Sequence, residues 1–161
     1  MNYRLLIALI PIVLWDINCT PQQKLDTGVG VSNTVQKKSK VEKVEITEQT
    51  RGTNRLITFT SGSKTTTVNG NVSVDVLSAV AWGNIIKQAE LIDLDKIALW
   101  QSPSEGRFGD RALASTVSIT VDGKVYQSSS FDSGRPPKEL ENLYKELFKE
   151  IKAQQKLPKK D

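Results

Sequence analysis

The dipeptide Asp122-Gly123 constrains this chain more than any other pair of residues in it. It stands between two runs of strand-forming residues. A two-residue type I′ turn needs both central positions at positive φ, which Asp tolerates and Gly adopts freely. Upstream, Val117, Ile119 and Val121 alternate with Thr116, Ser118 and Thr120, the period of a strand with one buried face. Downstream, Lys124 to Ser129 returns as its partner. So short a turn leaves one register: Val121 faces Lys124, Ile119 faces Tyr126 and Val117 faces Ser128. Val117, Ile119, Val121 and Tyr126 then share a face. Thr116, Ser118, Thr120, Gln127 and Ser129 take the other, with Val125 as the exception. The apolar row is expected in the core and the hydroxyl row in solvent.

The segments on either side follow from the same reasoning. Lys43 to Gln49 sets Val44 and Ile46 against Lys43, Glu45 and Thr47, a strand. Arg51-Gly52-Thr53-Asn54 turns into Arg55 to Thr60, and Ser61-Gly62-Ser63 turns into Lys64 to Val68, closed by Asn69-Gly70. This predicts a three-stranded meander with Leu56, Ile57 and Phe59 as core residues. From Ser73 to Ala89 the spacing becomes helical: Val76, Val80, Trp82, Ile86 and Ala89 form a broad apolar face. Ser73 is the expected N-cap, Asp75 suits the positive end, and Gly83 marks a close approach. Leu91 to Trp100 leads into an expected strand at Ile97 to Gln101, and Ser102 to Asp110 is a long loop. After the hairpin, Leu140, Leu143, Tyr144, Leu147, Phe148 and Ile151 make one apolar helical stripe, with Pro137 in its first turn. Glu141 and Lys145 are spaced to pair at i, i+4.

The order β-β-β-α-β-β-β-α, with hairpins joining neighbours, predicts an α+β fold. An antiparallel sheet of five to six strands would carry two helices packed on one face. The body spans residues 42–153, and at about 110 residues it can bury enough surface to stand without disulfides.

The ends of the chain are of a different kind. Leu5 to Trp15 is an apolar run of 11 residues behind Arg4. That is short for a bilayer span, which needs about 20 residues, and matches the central region of an export signal, residues 1–18. Cys19, the sole cysteine, follows directly. The segment resembles a bacterial lipoprotein signal, in which this cysteine is lipidated. Such signals usually carry Leu three places before the cysteine and Gly or Ala directly before it, where this chain has Asp16 and Asn18. Residues 19–41 are polar and free of aromatic side chains, which reads as a flexible tether. Residues 154–161 form a basic polar tail.

Charge divides along the same lines. The chain carries +4, yet the tether and the segment from Lys152 each hold four lysines against one aspartate. The body between them is therefore slightly acidic. A nucleic-acid binder needs a basic face with aromatic platforms on the body itself, so nucleic acid is not an expected partner.

The chain contains no histidine, which removes imidazole-based triads, histidine metal sites and the commonest general base near neutral pH. A single cysteine excludes thiolate clusters. No phosphate-cradling glycine loop of the P-loop type is present. No cofactor or metal is expected, and the reading is non-catalytic. The residue types that remain are carboxylates and guanidiniums around the long loop and the end of the hairpin. Asp110, Arg111, Asp132 and Arg135 are the candidates for a binding surface. Asp110 and Asp132 converging in an open cleft would instead indicate an acid/base pair.

Asp110-Arg111-Ala112, the hairpin strand Lys124 to Ser128, Phe131-Asp132, Gly134, Pro136-Pro137 and Leu140 resemble small exported lipoproteins of Bacteroidota-type bacteria. The resemblance covers about a fifth of the chain. It implies attachment in the cell envelope, at the outer membrane, through lipid on Cys19. It supplies no activity. The expected partners are accordingly the membrane, through that anchor, and a neighbouring envelope protein. The alternative is a secreted, inhibitor-like binding protein without lipid.

Overall fold

A computed structural model describes residues 40–155, with side chains to residue 152. The export segment, Cys19, nearly all of the tether and the end of the basic tail lie outside the described residues. The described chain runs β1 (Val41–Thr50), β2 (Thr53–Thr60), β3 (Ser63–Val68), β4 (Asn71–Val76), α1 (Ala79–Ala89), β5 (Ala114–Val121), β6 (Lys124–Gln127), β7 (Phe131–Asp132) and α2 (Glu141–Gln155). Short 3-10 turns occupy Ile97–Leu99, Gly106–Gly109 and Lys138–Leu140. The sheet is antiparallel in the order β4-β3-β2-β1-β5-β6, and β7 adds a short pairing to β5. This is an α+β fold, as the sequence predicts.

The central hairpin forms in the expected register. Ile119 pairs with Tyr126 and Val121 with Lys124, and the Ser128 amide donates to the Val117 carbonyl at 2.9 Å. Asp122 and Gly123 have φ of 47° and 78°, the two positive angles of a type I′ turn. Alternation then sends Val117 and Ile119 to the helix side, where both are fully buried. Val44, Ile46, Ile57 and Phe59 join them from β1 and β2, and Trp82, Ile85, Leu140, Leu143 and Leu147 close the core from the helices. The α2 stripe is as read from the sequence, including the Glu141–Lys145 pair at 3.6 Å.

Four expectations need correction. Ser73 and Asp75 belong to β4, not to a helix: Asn69-Gly70 is itself a tight turn, so β3 returns as a further strand before any helix can begin. Helix α1 starts at Ala79, capped by the Ser78 hydroxyl, which accepts from the Ala81 amide at 3.1 Å. Val76 and Val80 are therefore exposed, and Gly83 faces open space rather than a close neighbour. Ile97 to Gln101 is not a strand; it opens as a 3-10 turn with Ile97 buried as its anchor. Finally, the hydroxyl row of β5 is not open to solvent: Thr116 and Ser118 are half-buried and Thr120 is buried. The cause is the central position of β5. Lys43 and Glu45 of β1 lie beside Thr120 and Ser118 on one flank, and Val125 and Gln127 of β6 on the other.

Candidate functional site

The short strand β7 sits where two requirements meet. Phe131 and Asp132 point to opposite faces. Phe131 is fully buried in the core and meets the Tyr144 ring edge-on at 5.6 Å. Asp132 turns the other way, towards the loop from Ser102 to Ala112, and is 3% exposed.

Its carboxylate organises that loop. Oδ2 accepts from the Ser104 hydroxyl at 2.7 Å and from the Gly106 amide at 2.6 Å. Oδ1 accepts from the Arg107 amide at 2.9 Å and from the Arg107 guanidinium at 3.2 Å. The same guanidinium donates to the Ser104 carbonyl and the Ser102 hydroxyl. The Ser104 hydrogen bond, followed by those of Arg107 and Gly106, holds the carboxyl far below the usual carboxylate range, against the opposing effect of its burial. Gly106 is required by this approach: a Cβ there would lie 2.9 Å from Oδ2.

The main chain beyond β7 folds back at once. The Arg135 amide donates to the Asp132 carbonyl at 2.8 Å, with Gly134 at φ 84° in the third position of the turn. The turn is fastened from below at two points. The Gly134 amide donates to the Tyr144 hydroxyl at 2.8 Å, and the Ser133 hydroxyl donates to the Glu48 carboxylate. Burial raises the Tyr144 pKa, against its hydrogen bonds from this turn, so the phenol stays neutral.

Glu48 is 1% exposed and lies on the helix side of the sheet, in register with Arg55 on β2 and Ser115 on β5. Its Oε2 accepts from Arg55 Nε at 2.6 Å and from a second guanidinium nitrogen, and Ser115 contributes at 3.5 Å. A buried carboxylate thus ties three strands to the turn that carries the site.

Between loop and turn lies a polar cleft of about 420 Å³, lined by Ser104, Glu105, Gly106, Arg111, Asp132, Ser133 and Arg135 among others. Three of the four sequence candidates therefore converge. Arg111 and Arg135 are exposed, and no acidic side chain among the described residues pairs with either guanidinium. Asp110 is not part of the cleft. It takes φ 54° at the end of the 3-10 turn and meets Arg51 at 3.5 Å in an exposed pair. The two carboxylates thus have different partners, Asp110 at the surface and Asp132 within its own loop. They form no acid/base pair.

Sequence reasoning missed Ser104, Arg107 and Glu48. For Glu48 a signal existed, since extending the alternation of Val44 and Ile46 by two residues puts it on the buried face. For Ser104 and Arg107 there was none: their partner Asp132 is 28 and 25 residues away. A larger hollow of about 590 Å³ lies between α1 and α2, lined by Gln88, Phe148 and Lys152 among others. Its Lys145 and Lys149 already pair with Glu141 and Glu146.

Set against known proteins, the chain matches no family model, no curated protein and no solved structure.

Proposed function

We propose that this protein is a small envelope lipoprotein whose body binds an anionic group without catalysing a reaction. The observation that carries the reading is the cleft between the Asp132-organised loop and the turn at Asp132–Arg135. There two guanidiniums that pair with no acidic side chain among the described residues, Glu105 of the same lining included, stand over a scaffold locked by hydrogen bonds. Guanidinium forks bind carboxylate and phosphate bidentately, and a rigid scaffold lowers the ordering cost of doing so. Asp132 does not oppose such a ligand strongly, because its own charge is met by Arg107 and two amides. Lipid on Cys19 and the tether of residues 19–41 would hold this cleft within reach of a neighbouring envelope molecule. At 5–6 Å × √n such a tether spans about 25 Å on average.

Two experiments test the two halves. In a titration of the full chain with inorganic phosphate or acetate, followed by amide NMR, shifts should localise to Gly106, Ala112, Ser133 and Gly134. They should vanish in the Arg111→Ala, Arg135→Ala double variant while a chloride control leaves both proteins unchanged. Equal shifts in the double variant would reject the cleft as the anion site. For the anchor, wild type and Cys19→Ser are fractionated side by side. Loss of the variant from the membrane fraction, or its failure to be processed, supports lipidation; identical distributions with full processing reject it.

A further inference from the structure

The two outer strands of the sheet are finished differently. Strand β6 is four residues long, carries Lys124, and has the Ile97–Leu99 turn packed against it. Short length, an edge lysine and a cover are devices that block pairing with another chain. Among the described residues, strand β4 has none of them. Asn71–Val76 contains no proline, lysine or arginine, and pairs with β3 without a bulge from Val68↔Asn71 to Ser63↔Val76.

The free edge of β4 can be read residue by residue. Asn69 and Gly70 have φ of 49° and 87°, so the β3–β4 turn is a two-residue turn and the flanking pair Val68↔Asn71 is hydrogen-bonded. Alternation then directs the backbone N–H and C=O of Asn71, Ser73 and Asp75 towards β3, and those of Val72, Val74 and Val76 outward. The two-residue turn at Ser61-Gly62, flanked by Thr60↔Ser63, gives the same alternation on β3 independently. The outward-pointing backbone groups thus belong to three valines, 64%, 66% and 93% exposed.

We infer that β4 is a self-pairing surface, joining two copies of this chain antiparallel about a two-fold axis at Val74. That register places Val72 opposite Val76 of the second copy and Val74 opposite its equivalent. Each is a hydrogen-bonded pair, and all six valines fall on one face. Ser73 faces Asp75, so no two like charges stand opposite. Asp75 also stands opposite Lys64, a charge of the other sign, within its own chain. A two-fold contact uses the same edge on both copies and so closes, and with β6 blocked the product is a discrete dimer rather than a fibre. The contact is a single strand pair and smaller than a permanent dimer interface, so it dissociates on dilution.

The test uses the full chain in mild detergent. Sedimentation should show a monomer–dimer equilibrium. Val74→Lys, which sets two lysines opposite each other, should raise the dissociation constant by at least about tenfold while circular dichroism stays unchanged. Val72→Lys, at an equally exposed position, serves if Val74→Lys does not fold. In a Cys19→Ser background, Val74→Cys should form an intermolecular disulfide on oxidation. Its Cα atoms would lie about 5.5 Å apart, inside the range a disulfide spans. Thr65→Cys, one strand inward, should not, because three strand spacings put its mates roughly 14 Å apart. A wild-type protein that stays monomeric to about 200 µM without this cross-link overturns the inference and leaves the edge to a strand from another protein. So does a dimer that survives the lysine variants.

Discussion

Removing Arg55 should be the most damaging single change to the buried polar network. Arg55 is 27% exposed along its side chain and Glu48 only 1%, so the two partners are not equivalent. In Glu48→Leu the guanidinium is left behind but can turn to water. In Arg55→Met the carboxylate is left beneath α2 with only the hydroxyls of Ser115 and Ser133. Stranding one member of a buried pair costs about 3–5 kcal/mol, whereas replacing both by apolar side chains of similar size is often close to neutral. We therefore expect about 3–5 kcal/mol for Arg55→Met and about 1–3 kcal/mol for Glu48→Leu, where solvent access softens the loss. The double variant should be no less stable than Arg55→Met alone. Urea unfolding followed through the buried Trp82 reads this directly. With a slope of about 1.5 kcal/mol/M, a loss of 3 kcal/mol moves the midpoint by about 2 M. If the two single losses add to the double within about 0.5 kcal/mol, the residues are uncoupled and Glu48 and Arg55 do not act as a buried pair.

Three further outcomes follow from single positions. Gly83→Ala should raise stability by about 0.5–1 kcal/mol, since the site is exposed, helical and open around a Cβ; a lower melting temperature would contradict that packing. Gly106→Ala should loosen the loop from Ser102 to Ala112, because the new Cβ meets a carboxylate held by four hydrogen bonds. Faster amide exchange confined to that loop checks it, and unchanged protection would refute it. Asp132 has a folded pKa below its unfolded value, so its contribution is full above about pH 4 and is lost as pH falls through the folded value. Asp132→Asn should accordingly flatten the acid limb of the stability–pH curve, and an identical limb in wild type and variant would deny the carboxylate this role.

The sequence by itself determined whatever depends on near neighbours. A two-residue turn leaves a strand pair one register, so Asp122-Gly123 specified the central hairpin down to which residue faces which. A twelve-residue run of i, i+3, i+4 spacing can bury only one stripe, so α2 and its core residues were equally legible. At Ser73 to Ala89 the local signals competed. Val72, Val74 and Val76 alternate like a strand while Val76, Val80 and Trp82 suit a helix, and the Asn69-Gly70 turn decided for the strand by offering β3 as a partner. The same dependence hid the site. Asp132 and Arg107 are each ordinary loop residues until β7 docks on β5 and brings a carboxylate to two amides, a hydroxyl and a guanidinium. Alternation puts Glu48 on the buried face with Val44 and Ile46, but its partners arrive only when β2 and β5 pair on either side of β1 and Ser133 reaches it. Tertiary structure decided these because a buried charge is tolerable only where distant segments supply its partners.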